Sequence, residues 1–285
     1  IMAIFKRRRK INEDFTYDKL PHNRFEVFKT LFKIRFGFIL KVLMLTILFL
    51  LPLLVFNTYG RVYINASFSS VSQQKNQIYP QIFGFLLIRT LINIPLFFLS
   101  SIGMGGAIRV YRKLTWSEIT FLSDYFDNLK INLLRYLFIS IVVSLSYGLT
   151  LFAIYSIAAL NLKPIMIGIM LGISFLQFGF VLTFCFYIYL QNDIYKIRFI
   201  NLITNSFKFV FKSFLSSLGL LLLLFLPRIL IIFGNIYFDL ASTLLLLFFL
   251  PFILVALILV GNAQLDKWIN KNLYKQIYDK GVYRG

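Results

Sequence analysis

The chain has 285 residues, 59% of them hydrophobic and 14% charged, with a mean hydropathy of +0.79. Soluble domains are about 45–50% apolar and about 25% charged, so these figures exclude a soluble globular domain, a disordered tail and a collagen-like chain. Thirty Lys and Arg against 11 Asp and Glu leave a net charge of +19, but the basic residues crowd the ends of apolar runs. There they set topology and meet anionic lipid headgroups, and the chain is not expected to bind nucleic acid.

Residues 1–35 read as a basic N-terminal segment. Its Lys6-Arg7-Arg8-Arg9-Lys10 cluster is not followed by an apolar stretch until about Phe36, so this segment is not expected to be a cleavable signal peptide. His22 is the only histidine and has no neighbouring Cys or carboxylate cluster, so it reads as a surface residue. Asn23-Arg24-Phe25-Glu26 is a loose helix-start signal for a basic, aromatic amphipathic stretch.

Six runs then follow, at 36–56, 82–104, 133–157, 164–190, 214–234 and 237–260. Each reaches the roughly 20 residues that span a bilayer as a helix. The predicted fold is therefore all-α, a six-span transmembrane bundle over 36–261. Twenty-four Lys and Arg lie in the N-terminal segment, in 105–135, in 191–213 and in the tail; three (Arg61, Lys75 and Lys163) lie on the opposite side. That asymmetry predicts a multi-pass cell-membrane protein of bacterial type with both termini cytoplasmic, and a longest outer loop at 57–81.

Each odd-numbered run follows an amphipathic stretch, around Phe28, Phe126 and Phe207. The layout predicts three hairpins, each preceded by a cytoplasmic interfacial helix. Thr115-Trp116-Ser117-Glu118 fits a capping box for the second of these. Residues 262–285 read as a C-terminal amphipathic helix, with Trp268 on an apolar face and Lys267, Lys271 and Lys275 on another. That face suits a lipid surface or a protein groove equally.

The chemistry is sparse. A single Cys185, no P-loop and no G-x-S-x-G elbow predict no enzyme, no metal site and no cofactor. Gly103-Met104-Gly105-Gly106 lacks the continuation of a phosphate loop and reads as close packing or a turn. Gly168 and Gly172 form a G-x-x-x-G that lets helix backbones approach, with a partner in the same chain or in another protein. Intramembrane polar residues are the best site candidates. Arg89, Asn93 and Gln177 are predicted to share a polar site inside the bundle, and Arg228 and Asp239 to pair across an outer turn. No Asp or Glu falls at a membrane centre, which argues against a proton-driven carrier.

Several segments carry a family resemblance. They are Leu20-Pro21-His22-Asn23-Arg24, Leu51-Pro52-Leu53-Leu54, Ile94-Pro95, Ile102-Gly103-Met104-Gly105-Gly106-Ala107 with the Arg109–Lys113 stretch, and Asp124-Tyr125-Phe126 with Leu129-Lys130 and Asn132. Together they resemble the YesL-like integral membrane proteins of Gram-positive bacteria, which are often associated with sugar-uptake systems. The resemblance covers mainly the N-terminal half and implies no catalytic residues. Neither 109–132 nor 191–212 shows the EAA-type coupling sequence of a binding-protein-dependent permease. The expected function is thus a non-enzymatic accessory or assembly protein that binds another membrane complex, such as a sugar-uptake transporter. A channel or carrier for a polar or anionic solute is the alternative, and a lipid-interacting protein a second; the oligomeric state stays open.

Overall fold

The computed structural model describes residues 20–69, 75–159, 163–233 and 236–283. Among these there is no strand, and six helices are long and apolar enough to cross a membrane. The helices are α1 (Arg24–Ile34), α2 (Phe36–Ser69), α3 (Lys75–Thr115), α4 (Leu129–Ala159), α5 (Pro164–Ile194), α6 (Phe199–Phe225), α7 (Ile236–Leu265) and α8 (Lys271–Leu273). The six spans are α2 to α7, so both described termini lie at one end of the bundle, called proximal here; the other is the distal end.

The helices outrun the apolar stretches that nucleate them. Residues 57–81 do not form one long loop. α2 continues to Ser69 and α3 starts at Lys75, because backbone hydrogen bonding runs on past the last apolar residue. This places Asn57 and Arg61 on a helix face. At the far end of α6, Pro227 lacks an N–H and crowds the preceding turn, and the chain tightens into a 3₁₀ helix over Leu226–Phe233.

Spans consecutive in sequence pack on one another, and α3 also reaches α5 and α7, which makes it the central element. Its most extensive neighbour is α4, so the bundle does not resolve into three separate hairpins. Ser144 and Gly148, four residues apart along α4, bring it close to α3: Ser144 Oγ donates to the Thr90 carbonyl at 2.7 Å, and a Cβ at Gly148 would lie 2.5 Å from Thr90 Oγ1. Gly105 and Gly106 act likewise at the proximal end of α3, where the rings of Tyr136 and Tyr125 lie against them.

Of the three expected interfacial helices, α1 is a separate helix, capped by Asn23, whose side-chain oxygen accepts from the Glu26 N–H at 2.8 Å. Before α4 there is only a 3₁₀ turn at Leu122–Phe126. Thr115 ends α3 instead of starting a helix, and Ser117 adopts a positive φ that reverses the chain. The third amphipathic stretch is the first part of α6 itself. The tail is likewise not one helix over 262–285. It continues α7 through a π turn at Asp266–Asn270, ends at Leu273 and then folds back in turns. Leu265 is fully buried and Ile277 packs on the core, while Trp268, Lys267, Lys271 and Lys275 are exposed.

Candidate functional site

The distal half of the bundle holds the candidate site. Arg89, one helical turn before Asn93 on α3, is only 2% exposed. Its guanidinium turns inward, towards α2. The Asn57 side-chain oxygen accepts from Arg89 Nη2 at 2.9 Å and from Nε at 3.2 Å, and the Asn57 carbonyl accepts from Nη2 at 3.0 Å. The Tyr147 hydroxyl of α4 lies 3.4 Å from the same Nη2. Gly60 makes this possible: a Cβ there would lie 3.1 Å from the guanidinium carbon. Asn57 in turn donates to Asn93 Oδ1 at 3.1 Å and to the Leu53 carbonyl at 3.0 Å.

Arg89 and Asn93 therefore do share an interior polar site, but Gln177 does not belong to it. Gln177 Nε2 donates to Ser146 Oγ at 2.9 Å, and its oxygen lies 3.4 Å from Thr150 Oγ1. It is held against another face of α4. The place expected for Gln177 is taken by Asn57, which lies beyond the apolar run 36–56 but still on α2.

The predicted Arg228–Asp239 pair is similarly rearranged. Asp239 Oδ2 meets Arg61 Nη2 at 2.6 Å, linking α7 to α2. Arg228 Nη1 stands 4.0 Å from Asp239 Oδ1 and donates to Thr243 Oγ1 at 3.1 Å. The carboxylate thus joins α2, α7 and the 3₁₀ segment, with Arg61 as its closer partner. Asp239 is the only acidic residue between Asp193 and Asp266, and none lies between Glu26 and Glu118. Arg61 and Arg228 consequently share this one carboxylate, and Arg89 pairs with no acid among the described residues.

Arg61, Arg89 and Arg228 all line a cavity of about 570 Å³ that runs down the bundle between α2, α3, α4, α5, α6 and α7. Its volume falls within the range of about 300–1,000 Å³ usual for small-ligand sites. Arg89 Nη1 and Arg61 Nε are buried and have no hydrogen-bond partner among the described residues. A buried cation costs several kcal/mol (about 3 kcal/mol for Arg at a span centre on insertion scales) unless it is compensated. Asn57 and Tyr147 supply hydrogen bonds but no negative charge, so the cavity carries a positive potential at one end. An anion placed there would gain both charge-assisted hydrogen bonds and Coulomb energy in a low dielectric.

The proximal end is built from the same residue types but is neutralised. Asp193, at the end of α5, bonds Arg109 Nε at 3.0 Å and also Arg112 Nε. Arg109 further donates to the Asp127 carbonyl, and its Nη2 lies 3.4 Å from the Tyr136 hydroxyl. Arg24 pairs with Asp266, and with Asp279 at 3.5 Å, while Lys280 meets Glu118 at 2.6 Å. The Tyr125 hydroxyl donates to the Gly103 carbonyl at 2.8 Å, and burial pushes its pKa up to about 12. No group of three or more His, Cys, Asp or Glu side chains suited to a metal ion occurs among the described residues.

The remaining candidates fall on the surface. Gly168 and Gly172 face open space: no atom outside their own helix lies within 4 Å of a Cβ built at either. Among the described residues nothing seats on this G-x-x-x-G, because α5 leans on its neighbours through its other half, from Gly179 onward. At the tail, Lys212 Nζ sits 3.7 Å over the Trp268 ring and Lys267 lies 5.2 Å from it. Trp268 is thereby clamped between cations of α6 and of its own segment.

No protein-family model matches the chain, and no curated protein or solved structure matches it either.

Proposed function

We propose that this integral membrane protein binds an anionic ligand in the distal cavity, as a carrier or receptor and without catalysing a reaction on it. The observation that supports this reading is the buried, incompletely bonded guanidinium of Arg89 on a cavity that two further arginines line. A residue that served only to join α2 and α3 would have its N–H groups used up by those helices, as the proximal Arg109 nearly does. The test is thermal unfolding of the purified protein in a neutral detergent at low salt, titrated with butyl phosphate. A concentration-dependent rise in Tm for the wild type that is lost in Arg89→Gln supports the reading. No rise, or an equal rise in both, overturns it.

An accessory role is a second reading, carried by a separate observation. α5 is the least covered of the six spans, and its exposed half presents Gly168 and Gly172, a pair of small residues of the kind that seats a foreign helix. A Gly168→Leu/Gly172→Leu variant that keeps its Tm but loses a stoichiometric subunit recovered with the wild type would support it. Recovery of the wild type as a partner-free monomer from native membranes would remove it.

A further inference from the structure

The cavity is longer than a small anion requires. Arg89 and Ile108 both line it, and the 19 helical steps of α3 from one to the other rise about 28 Å. That is the shape of a shaft. Its three cations stand at the distal end only. From Arg89 towards Ile108 the wall is aliphatic and aromatic except for Ser100, Ser101, Cys185 and Tyr189.

A ligand matched to such a space has two parts. The first is an anionic head. Arg61, Arg89 and Arg228 against Asp239 leave a formal surplus of two positive charges. A phosphomonoester carries about −1.5 to −2 at neutral pH and offers three acceptor oxygens, which suits the unpartnered Arg89 Nη1 and Arg61 Nε. A carboxylate would leave one buried cation uncompensated. The second part is an apolar tail. An apolar shaft gains from burial of an apolar chain and offers little to a compact polar solute.

We infer that the ligand is a single-chain lipid phosphate, its phosphomonoester head among Arg61, Arg89 and Arg228 and its chain extending along the shaft towards Ile108. The inference rests on the reading of the cavity as an anion site and adds the chemical class of the anion.

The second ionisation of a phosphomonoester lies near pH 6, so affinity rises as the head gains its second charge. The groups facing the head are Arg61 of α2, Arg89 of α3, Tyr147 and Tyr155 of α4, Arg228 beyond α6 and Asp239 of α7; α5 brings only Phe178 to this level. A carboxylate ligand of equal chain length, measured over the same pH range, controls for titration of the protein itself.

The experiment is equilibrium binding to the full chain in nanodiscs of neutral phosphatidylcholine, corrected for uptake by empty nanodiscs. The probes are inorganic phosphate, alkyl phosphates of four to twelve carbons, and dodecanoate. Affinity is expected to climb with chain length, with dodecyl phosphate at least tenfold tighter than butyl phosphate and severalfold tighter than dodecanoate. It is also expected to rise severalfold from pH 5 to pH 7 for the alkyl phosphates and not for dodecanoate. Arg89→Gln should weaken every phosphate at least tenfold, while Met104→Trp, which fills the shaft, should weaken only the long ones. Equal affinity across the chain-length series, or binding of inorganic phosphate as tight as that of dodecyl phosphate, overturns the lipid assignment and leaves the anion site standing. Equal binding of dodecanoate and dodecyl phosphate overturns the phosphate head. If no anion binds, the cavity reading falls with the inference.

Discussion

The two ends of the bundle solve the same electrostatic problem in opposite ways. At the proximal end, Arg24, Arg109, Arg112 and Lys280 each meet a carboxylate from a distant part of the chain. At the distal end, Arg61 and Arg228 share Asp239, and Arg89 has hydrogen bonds but no anionic partner among the described residues. Buried ion pairs confer geometry more than net stability, and the proximal pairs join α3, α5, the 122–128 turn and the tail into one unit. The distal arginines border a cavity instead. The difference separates a staple from a site: a cation whose charge is cancelled within the chain holds helices together, whereas a buried surplus is stabilising only once an anion arrives.

The comparison is broken most severely at Asp193. Its side chain is the shared partner of Arg109 and Arg112, all three being at most one-tenth exposed. Asp193→Ala strands the Arg109 guanidinium and leaves Arg112 only Glu118 at 3.8 Å, and removal of one partner from a buried pair costs about 3–5 kcal/mol. Thermal or denaturant unfolding in detergent is expected to show that loss, with ligand binding at the distal end intact in whatever fraction stays folded. A stability change below about 1 kcal/mol would mean that the proximal network is solvated and does not staple the bundle.

How much of this could be read beforehand depended on the kind of signal. The six spans were legible because hydropathy is a property of each stretch alone. Helix ends were not, because hydrogen bonding carries a helix into polar sequence; Asn57 and Arg61 were therefore read as loop residues although they sit on α2. Arg89 and Asn93 were legible as an interior pair, since they are one turn apart in an apolar span. Their partner from another helix was not, because one sequence does not say which faces meet. The small-residue motifs teach the same lesson. Gly168 and Gly172 match the packing pattern and pack on nothing among the described residues, whereas Ser144 and Gly148, with the same spacing, meet Thr90 in the α3–α4 contact. Asp193 was overlooked because a lone acid at a span end reads as an ordinary loop charge.

A second break falls on the proximal unit at Gly281. Its φ of +85° is costly for any other residue, and a Cβ there would lie 2.3 Å from the Thr115 carbonyl oxygen. Gly281→Ala is expected to cost about 2 kcal/mol, the order of the left-handed strain alone, and to free the segment that Lys280 ties to Glu118 and that Tyr283 ties to Pro21. Hydrogen exchange should report faster exchange in 275–283 with the spans unchanged. Protection equal to wild type would show that the tail is held without this turn.

Tyr125 sharpens the picture by pH. Its folded pKa of about 12 lies above the ordinary phenol value of 10 because burial disfavours the phenolate. A raised folded pKa means that the stabilisation is complete below pH 10 and is lost as pH climbs from 10 to 12. Tyr125→Phe removes one buried hydrogen bond, worth about 1 kcal/mol at neutral pH. The gap between wild type and variant is expected to close across that alkaline window. A gap that stays constant from pH 8 to pH 12 would show that the phenol is not protected in the folded state.

The smallest expected change in stability is the one that tests the comparison most directly. Arg89→Met replaces the distal guanidinium with an apolar side chain that retains much of the same stem. No carboxylate is stranded, since Arg89 has none. Asn57 keeps its bonds to Asn93 and to the Leu53 carbonyl, while the bonds from Arg89 to Asn57 and the contact to Tyr147 are given up. The lost charge-assisted bonds to Asn57 are offset by relief of the desolvation of an uncompensated cation, a balance that is often neutral or favourable when an apolar side chain replaces a buried charge. Unfolding in the absence of anions is therefore expected to shift by less than about 1 kcal/mol in either direction, against about 3–5 kcal/mol for Asp193→Ala. The same variant is expected to lose the stabilisation that butyl phosphate confers on the wild type, because ligand linkage vanishes with the ligand's partner. A loss of 3 kcal/mol or more on Arg89→Met in anion-free detergent would place Arg89 with the proximal staples and dissolve the distinction between the two ends.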